Sequence, residues 1–118
     1  MLNKDAILAV TSDIAIQPAD VPEWGGSLFI RGMRGFEREA YLASMWVEDG
    51  DKRVQNTSNM YARLLVRCLC DESGKRIFED EDAAELGLRS GKVLERLANI
   101  ASDLCGLNQK SVKEAVKN

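Results

Sequence analysis

The apolar residues of this chain keep two different periods, and the change between them limits the folds open to it. Ile14 and Ile16 alternate with polar residues, and Ser27 to Arg31 is a compact run containing Leu, Phe and Ile, the pattern of extended strands. From Gly35 onward apolar residues recur every three or four positions, the spacing of amphipathic helices. A single early change of period predicts an α+β fold, mainly α-helical: a small N-terminal β-hairpin over about residues 13–32, then four to five helices over about residues 35–117. At 118 residues the chain has room for one core, so residues 1–118 are expected to form one domain.

Local signals place the elements. Asn3 can cap a short helix over residues 3–10 that turns Ile7, Leu8 and Val10 inward. Pro18, Pro22 and Gly25-Gly26 punctuate the hairpin and predict a long, proline-bearing connection. Phe36, Ala40, Ala43 and Val47, with Trp46 beside them, form the stripe of a first long helix that Gly50 would close in the left-handed conformation. The polar, aperiodic stretch DGDKRVQNTS reads as a loop ending in a cap at Thr57 or Ser58. A second helix follows, with Met60, Tyr61, Leu64, Leu65 and Cys68 on one face and Arg63 and Arg67 opposite, stopping in the turn cluster Asp71 to Gly74. The acidic run Glu79 to Asp82 suits the start of a short helix ending at Gly87. Ser90 caps a longer one with the stripe Val93, Leu97, Ile100, Ala101 and Leu104, closed at Gly106, and Asn108 caps a last turn or two through Val112 and Val116.

Few catalytic chemistries fit these residues. The sequence has no histidine, which removes Ser-His and Cys-His nucleophile pairs, imidazole bases and the commonest zinc ligand, so an enzyme is not expected. Cys68 and Cys70 stand as Cys-x-Cys within the second helix and point to nearly opposite sides, with Cys105 far away in sequence; all three read as small packing residues, and neither cofactor nor metal is expected. An EF-hand fails at Asp71, where Lys75 takes a ligand position and Arg76 the required glycine, and at Asp49, where Arg53 takes a ligand position. An odd cysteine number in apolar surroundings suits a reducing compartment, and MLNKDAILAVTSD has too short an apolar stretch for a secretory signal. With no run of about 20 apolar residues to span a bilayer, the expected location is the cytoplasm.

Charge and surface then point to protein partners. A net charge of −3 argues against broad binding to nucleic acid or to anionic membranes. Gly32-Met33-Arg34-Gly35, flanked by Arg31 and Arg38, spells the Gly-x-x-Gly loop of KH domains, but here it follows a strand, so it reads as a strand-to-helix turn and an RNA-binding module is the weaker alternative. Residue type alone nominates Trp24, Phe29 and Trp46 as partner anchors, against the plain reading that each covers the core.

Three strings, VPEWGGSLFIRGMRGFERE, YARLLVRCLCDESGKRIFEDED and AELGLRSGKVLERLANIASDLCGL, resemble those of tail assembly chaperones of long-tailed bacteriophages and prophages. The likeness runs from Leu2 to about Leu107 and is most specific from Arg63 to Asp82. It implies a protein of the host-cell cytoplasm that binds the long helical tape measure protein, keeps it soluble and helps tail tube subunits assemble around it, and that is absent from the mature virion. It also implies self-association and, in many members, a longer form made by ribosomal frameshifting. Composition alone leaves two alternatives, a structural head-tail joining protein and a small acidic secretion-type chaperone.

Overall fold

The first hairpin and the caps at Asn3, Ser90 and Gly106 exist as expected, but strands return after the first long helix, where only helices are expected. The structure, a computed structural model that describes residues 1–107, has the order α1 (Lys4–Leu8), β1 (Ile16–Val21), β2 (Gly26–Arg31), α2 (Gly35–Ala43), β3 (Trp46–Asp49), β4 (Lys52–Gln55), α3 (Met60–Cys68), β5 (Leu69–Cys70), α4 (Ala83–Leu86) and α5 (Gly91–Cys105). Short 3₁₀ turns at Pro22–Trp24 and Asp80–Asp82 precede β2 and α4. The fold is α+β as expected. The final turns expected after Asn108 lie outside the described residues.

The first sheet has the order β1-β2-β5, antiparallel throughout, with Ala19 opposite Leu28 and Ile30 opposite Leu69. Pro18 sits inside β1 rather than in the connection, which is shorter than expected. It pairs with Phe29 on an edge strand, where a missing N–H breaks no ladder on the open side. Residues paired across a ladder share a face. Val21, Leu28, Ile30 and Leu69 therefore line the inner face, against which α3 and α5 pack through Leu65, Val66, Leu97, Ala98 and Ala101.

Helix α5 matches its sequence signals closely. Ser90 Oγ accepts from Val93 N–H at 3.5 Å, Gly106 closes the helix at φ 69°, and Val93, Leu97 and Ala101 are buried, with Leu94 and Ala98 beside them. Gly32 lies against its end. A Cβ there would stand 3.2 Å from the Leu104 carbonyl oxygen, so the Gly-x-x-Gly segment is the turn into α2 and lets the end of α5 approach.

Several expectations fail for identifiable reasons. Asn3 caps α1 by accepting from Ala6 N–H at 2.8 Å, but Ile7, Leu8 and Val10 are exposed, because a five-residue helix presses on no core surface. Helix α2 ends at Ala43, and the face it buries carries Glu37 and Tyr41, while Phe36 is 71% exposed and Ala40 and Ala43 face solvent. Trp46 to Asp49, expected as helix, pairs with Lys52 to Gln55, expected as loop, in a second hairpin. Gly50 is left-handed as predicted, at φ 69°, but it turns this hairpin instead of closing a helix. Helix α3 is capped at Asn59, itself left-handed at φ 51°, not at Thr57 or Ser58. Met60 and Tyr61 are exposed, whereas Arg63 and Arg67 are buried. Cys70 lies in β5, outside the helix that ends at Cys68.

Candidate partner-binding surface

The buried arginines of α3 explain how the second hairpin is held. Arg63 reaches from α3 to the base of β3 and β4, donating to Ser44 O at 2.6 Å and Ser44 Oγ at 2.8 Å before β3, and to Asn56 O at 2.6 Å and Ser58 O at 2.8 Å after β4. Asn56 closes the same base, its Nδ2 donating to Ser44 O at 3.0 Å and its N–H to Met45 O at 2.6 Å. A two-stranded hairpin alone is marginal in water, so this anchor is what fixes its direction. Every residue of both strands is exposed. Trp46, Val47 and Val54 are the apolar part of that surface, and the Arg53 guanidinium lies 5.2 Å from the Trp46 ring centre, which orders the ring.

A second polar network joins α2 to the sheet and to the turn before α4. Glu37 Oε2 accepts from Arg31 Nη2 at 2.8 Å and from Arg76 Nη1 at 3.5 Å, while Oε1 caps α2 by accepting from Arg34 N–H at 2.9 Å. Arg76 continues to Asp80 at 2.6 Å and to the Val66 carbonyl at 3.0 Å, and Arg67 meets Asp80 from the other side at 3.3 Å. Burial pushes the Glu37 carboxyl up, but the Arg31 hydrogen bond, the Arg34 N–H and the charges of Arg31 and Arg76 outweigh it and hold the group below its ordinary value. Asp80 is lowered too, chiefly by its hydrogen bond from Arg76.

The cysteines are arranged in a way the sequence did not reveal. Cys68 ends α3, Cys105 ends α5, and their sulfurs are 3.8 Å apart. The hydrogen bond between them lowers the Cys105 thiol and raises that of Cys68. Burial opposes the first shift and reinforces the second, and Met33 N–H, Arg38 and Arg31 help Cys105 toward the thiolate. Arg38 Nη1 also donates to the Cys105 carbonyl at 2.6 Å. No cluster of three or more metal-ligating side chains occurs among the described residues.

The three nominated aromatics are placed on different elements. Trp24 lies in the 3₁₀ turn between β1 and β2, half-buried against the core, and its neighbour Glu23 forms a two-point ion pair with Arg96 of α5 at 2.5 and 2.9 Å. Phe29 is half-buried in the middle of β2, between Pro18 and Cys70, on the face of the sheet opposite Ile30. Trp46 is the exposed one, at the start of β3. Sequence reasoning missed Phe36, assigned to the core but presented to solvent on the first turn of α2, and the exposed apolar residues of the N-terminal arm, Leu2, Ile7, Leu8 and Val10. The signal available for Phe36 was its neighbour Glu37, a capping residue three positions after Arg34 that turns the helix so its own side chain faces inward.

The sequence and the fold both have known counterparts. The family model described as phage tail assembly chaperone matches residues 3–118. The chain belongs to the phage tail assembly chaperone family. Among solved structures, the tail assembly chaperone of bacteriophage HK97 shares its fold, with a TM-score of 0.60 and 20% identity over 85% of this chain and 89% of that one. No curated protein sequence matches the chain. As a family member it takes part in phage tail assembly, a chaperone's role, and interacts with tail proteins. None of its described helices is long and apolar enough to cross a membrane.

Proposed function

We propose that this chaperone binds the tape measure protein of its phage in the host cytoplasm, keeps it soluble and promotes assembly of tail tube subunits around it, without catalysis, cofactor or nucleic acid, and is absent from the finished virion. The observation that carries this reading is the β3–β4 hairpin, which holds Trp46, Val47 and Val54 in water on a base fixed by Arg63. A long helical protein waiting to be enclosed exposes apolar stripes, and an ordered aromatic on a small projecting element covers such a stripe at low entropic cost. Trp46 is the leading anchor because it is both exposed and ordered by Arg53, and Trp24 and Phe29 offer smaller exposed areas. The same apolar residues also suit self-association and contact with the tail tube protein.

The test is co-expression with the tape measure protein of the same genome, comparing its soluble fraction with and without this chain. A raised soluble fraction and a co-purifying complex support the proposal. Tape measure protein that stays insoluble, together with this chain found in purified virions, would instead favour a structural joining role.

A further inference from the structure

We propose that Cys68 and Cys105 form a dithiol site that hydroperoxides oxidise to an intramolecular disulfide, a covalent tie between the ends of α3 and α5. The inference stands apart from what the protein binds and rests on three placements. The two sulfurs are 3.8 Å apart, within reach of the roughly 2.05 Å of a disulfide by a small shift at the end of one helix. Cys105 is the partly exposed partner and the last residue of α5 before the left-handed Gly106, where an approaching oxidant and a small displacement can both be accommodated. Cys68 is wholly buried, so it meets no oxidant directly and is placed to resolve one already attached to Cys105. The Met33 N–H and the Arg38 guanidinium beside Cys105 favour its thiolate, the nucleophilic form.

The chemistry balances in two steps. The Cys105 thiolate attacks one oxygen of hydrogen peroxide, the O–O bond breaks, the other oxygen leaves as water on protonation, and the sulfur, oxidised by two electrons, becomes a sulfenic acid. Cys68 then attacks that sulfur, the S–O bond breaks, a second water leaves with the Cys68 proton, and the S–S bond forms. Two thiols and one peroxide give one disulfide and two waters, and a dithiol reductant reverses the change. Cys70, buried in β5 on the face of the sheet opposite Ile30 and outside the Cys68–Cys105 contact, is the internal control.

The reduced full-length protein would be treated with a few equivalents of hydrogen peroxide, alkylated with N-ethylmaleimide in denaturant, and read by intact mass and peptide mapping. The expected product has lost about 2 Da before alkylation, carries a maleimide on Cys70 alone, and yields one cross-linked peptide pair joining Cys68 to Cys105. Closing the loop between them should raise the thermal midpoint by at least about 5 °C, an increase that dithiothreitol removes. Cys70→Ser should behave like the parent, and Cys105→Ser should form no cross-link. The proposal is overturned if all three cysteines remain alkylatable, if Cys105 proceeds to a sulfinic acid while Cys68 stays free, or if the cross-link involves Cys70 or a second chain. These readings on the parent protein decide the matter even if a cysteine variant folds poorly.

Discussion

Helix α3 and the β3–β4 hairpin adjoin in sequence and are joined by Arg63, yet from Ala62 to Cys68 every residue of α3 is buried while every residue of the hairpin strands is exposed. The helix draws its stability from both its faces: Leu65 and Val66 enter the core, and Arg63 and Arg67 satisfy carbonyls and a carboxylate on the side that sequence patterning assigns to water. The hairpin has little of its own beyond its ladder, and its position is borrowed from the helix. Residues that cost nothing to the fold when changed are therefore concentrated on the hairpin, and this is also where apolar side chains are freest to meet a partner.

The largest expected effect lies at the polar edge of the core. Glu37→Ala leaves buried Arg31 without its carboxylate and should destabilise the protein by about 3–5 kcal/mol in denaturant unfolding. The same group sets an acid limit. Because the folded Glu37 carboxyl titrates below its ordinary value of 4.5, its contribution is complete above that value and is lost as pH falls through the folded one. Glu37→Gln should flatten that acid limb, and an unchanged limb would move the dependence to another carboxylate. Leu65→Ala, in the fully buried face of α3, should cost about 3 kcal/mol through lost burial and the cavity left behind, with unchanged m-value.

Arg63→Ala tests the link between the two regions directly. It removes the donors to the carbonyls of Ser44, Asn56 and Ser58 and should cost about 2 kcal/mol, less than the core changes because water can reach part of that base. Its more telling consequence is local. Amide exchange across Trp46 to Gln55 should accelerate well beyond that of α5, and equal acceleration in both would mean that the hairpin does not depend on its anchor.

What the sequence disclosed follows the same division. Helix α5 is legible because Ser90, the stripe from Val93 to Leu104 and Gly106 all agree, and one face of it does meet water. A charge opposite an apolar stripe is usually solvated, so Arg63 and Arg67 read as outward-facing, and nothing local shows that carbonyls 5, 7 and 19 residues away will converge on the Arg63 guanidinium. The second hairpin was hidden by coincidence: Phe36, Ala40, Ala43 and Val47 keep helical spacing across a helix end, while the true signal was Gly50-Asp51 between two short runs that can pair. Strand β5 is two residues long and exists because β2 offers it an edge. Of the candidate surface, Trp46 was legible as a residue type, whereas its exposure, its Arg53 partner and the exposure of Phe36 needed the fold. The Cys68–Cys105 contact depends on how α3 and α5 pack, which no spacing encodes.

The smallest effect on stability carries the sharpest test of the division. Trp46→Ala removes an exposed ring that Arg53 stacks on, so unfolding should shift by no more than about 0.5 kcal/mol. If the hairpin is the surface that meets the tape measure protein, the same substitution should weaken that complex at least tenfold, since a large ordered aromatic at the centre of a contact is the type of residue on which affinity concentrates. Trp24→Ala should show the reverse balance, because that ring packs on the core: a larger loss of stability and a smaller loss of binding. A Trp46 variant that keeps full affinity while Trp24→Ala loses it would move the contact from the hairpin to the β1–β2 turn, where the Glu23–Arg96 pair holds the loop against α5.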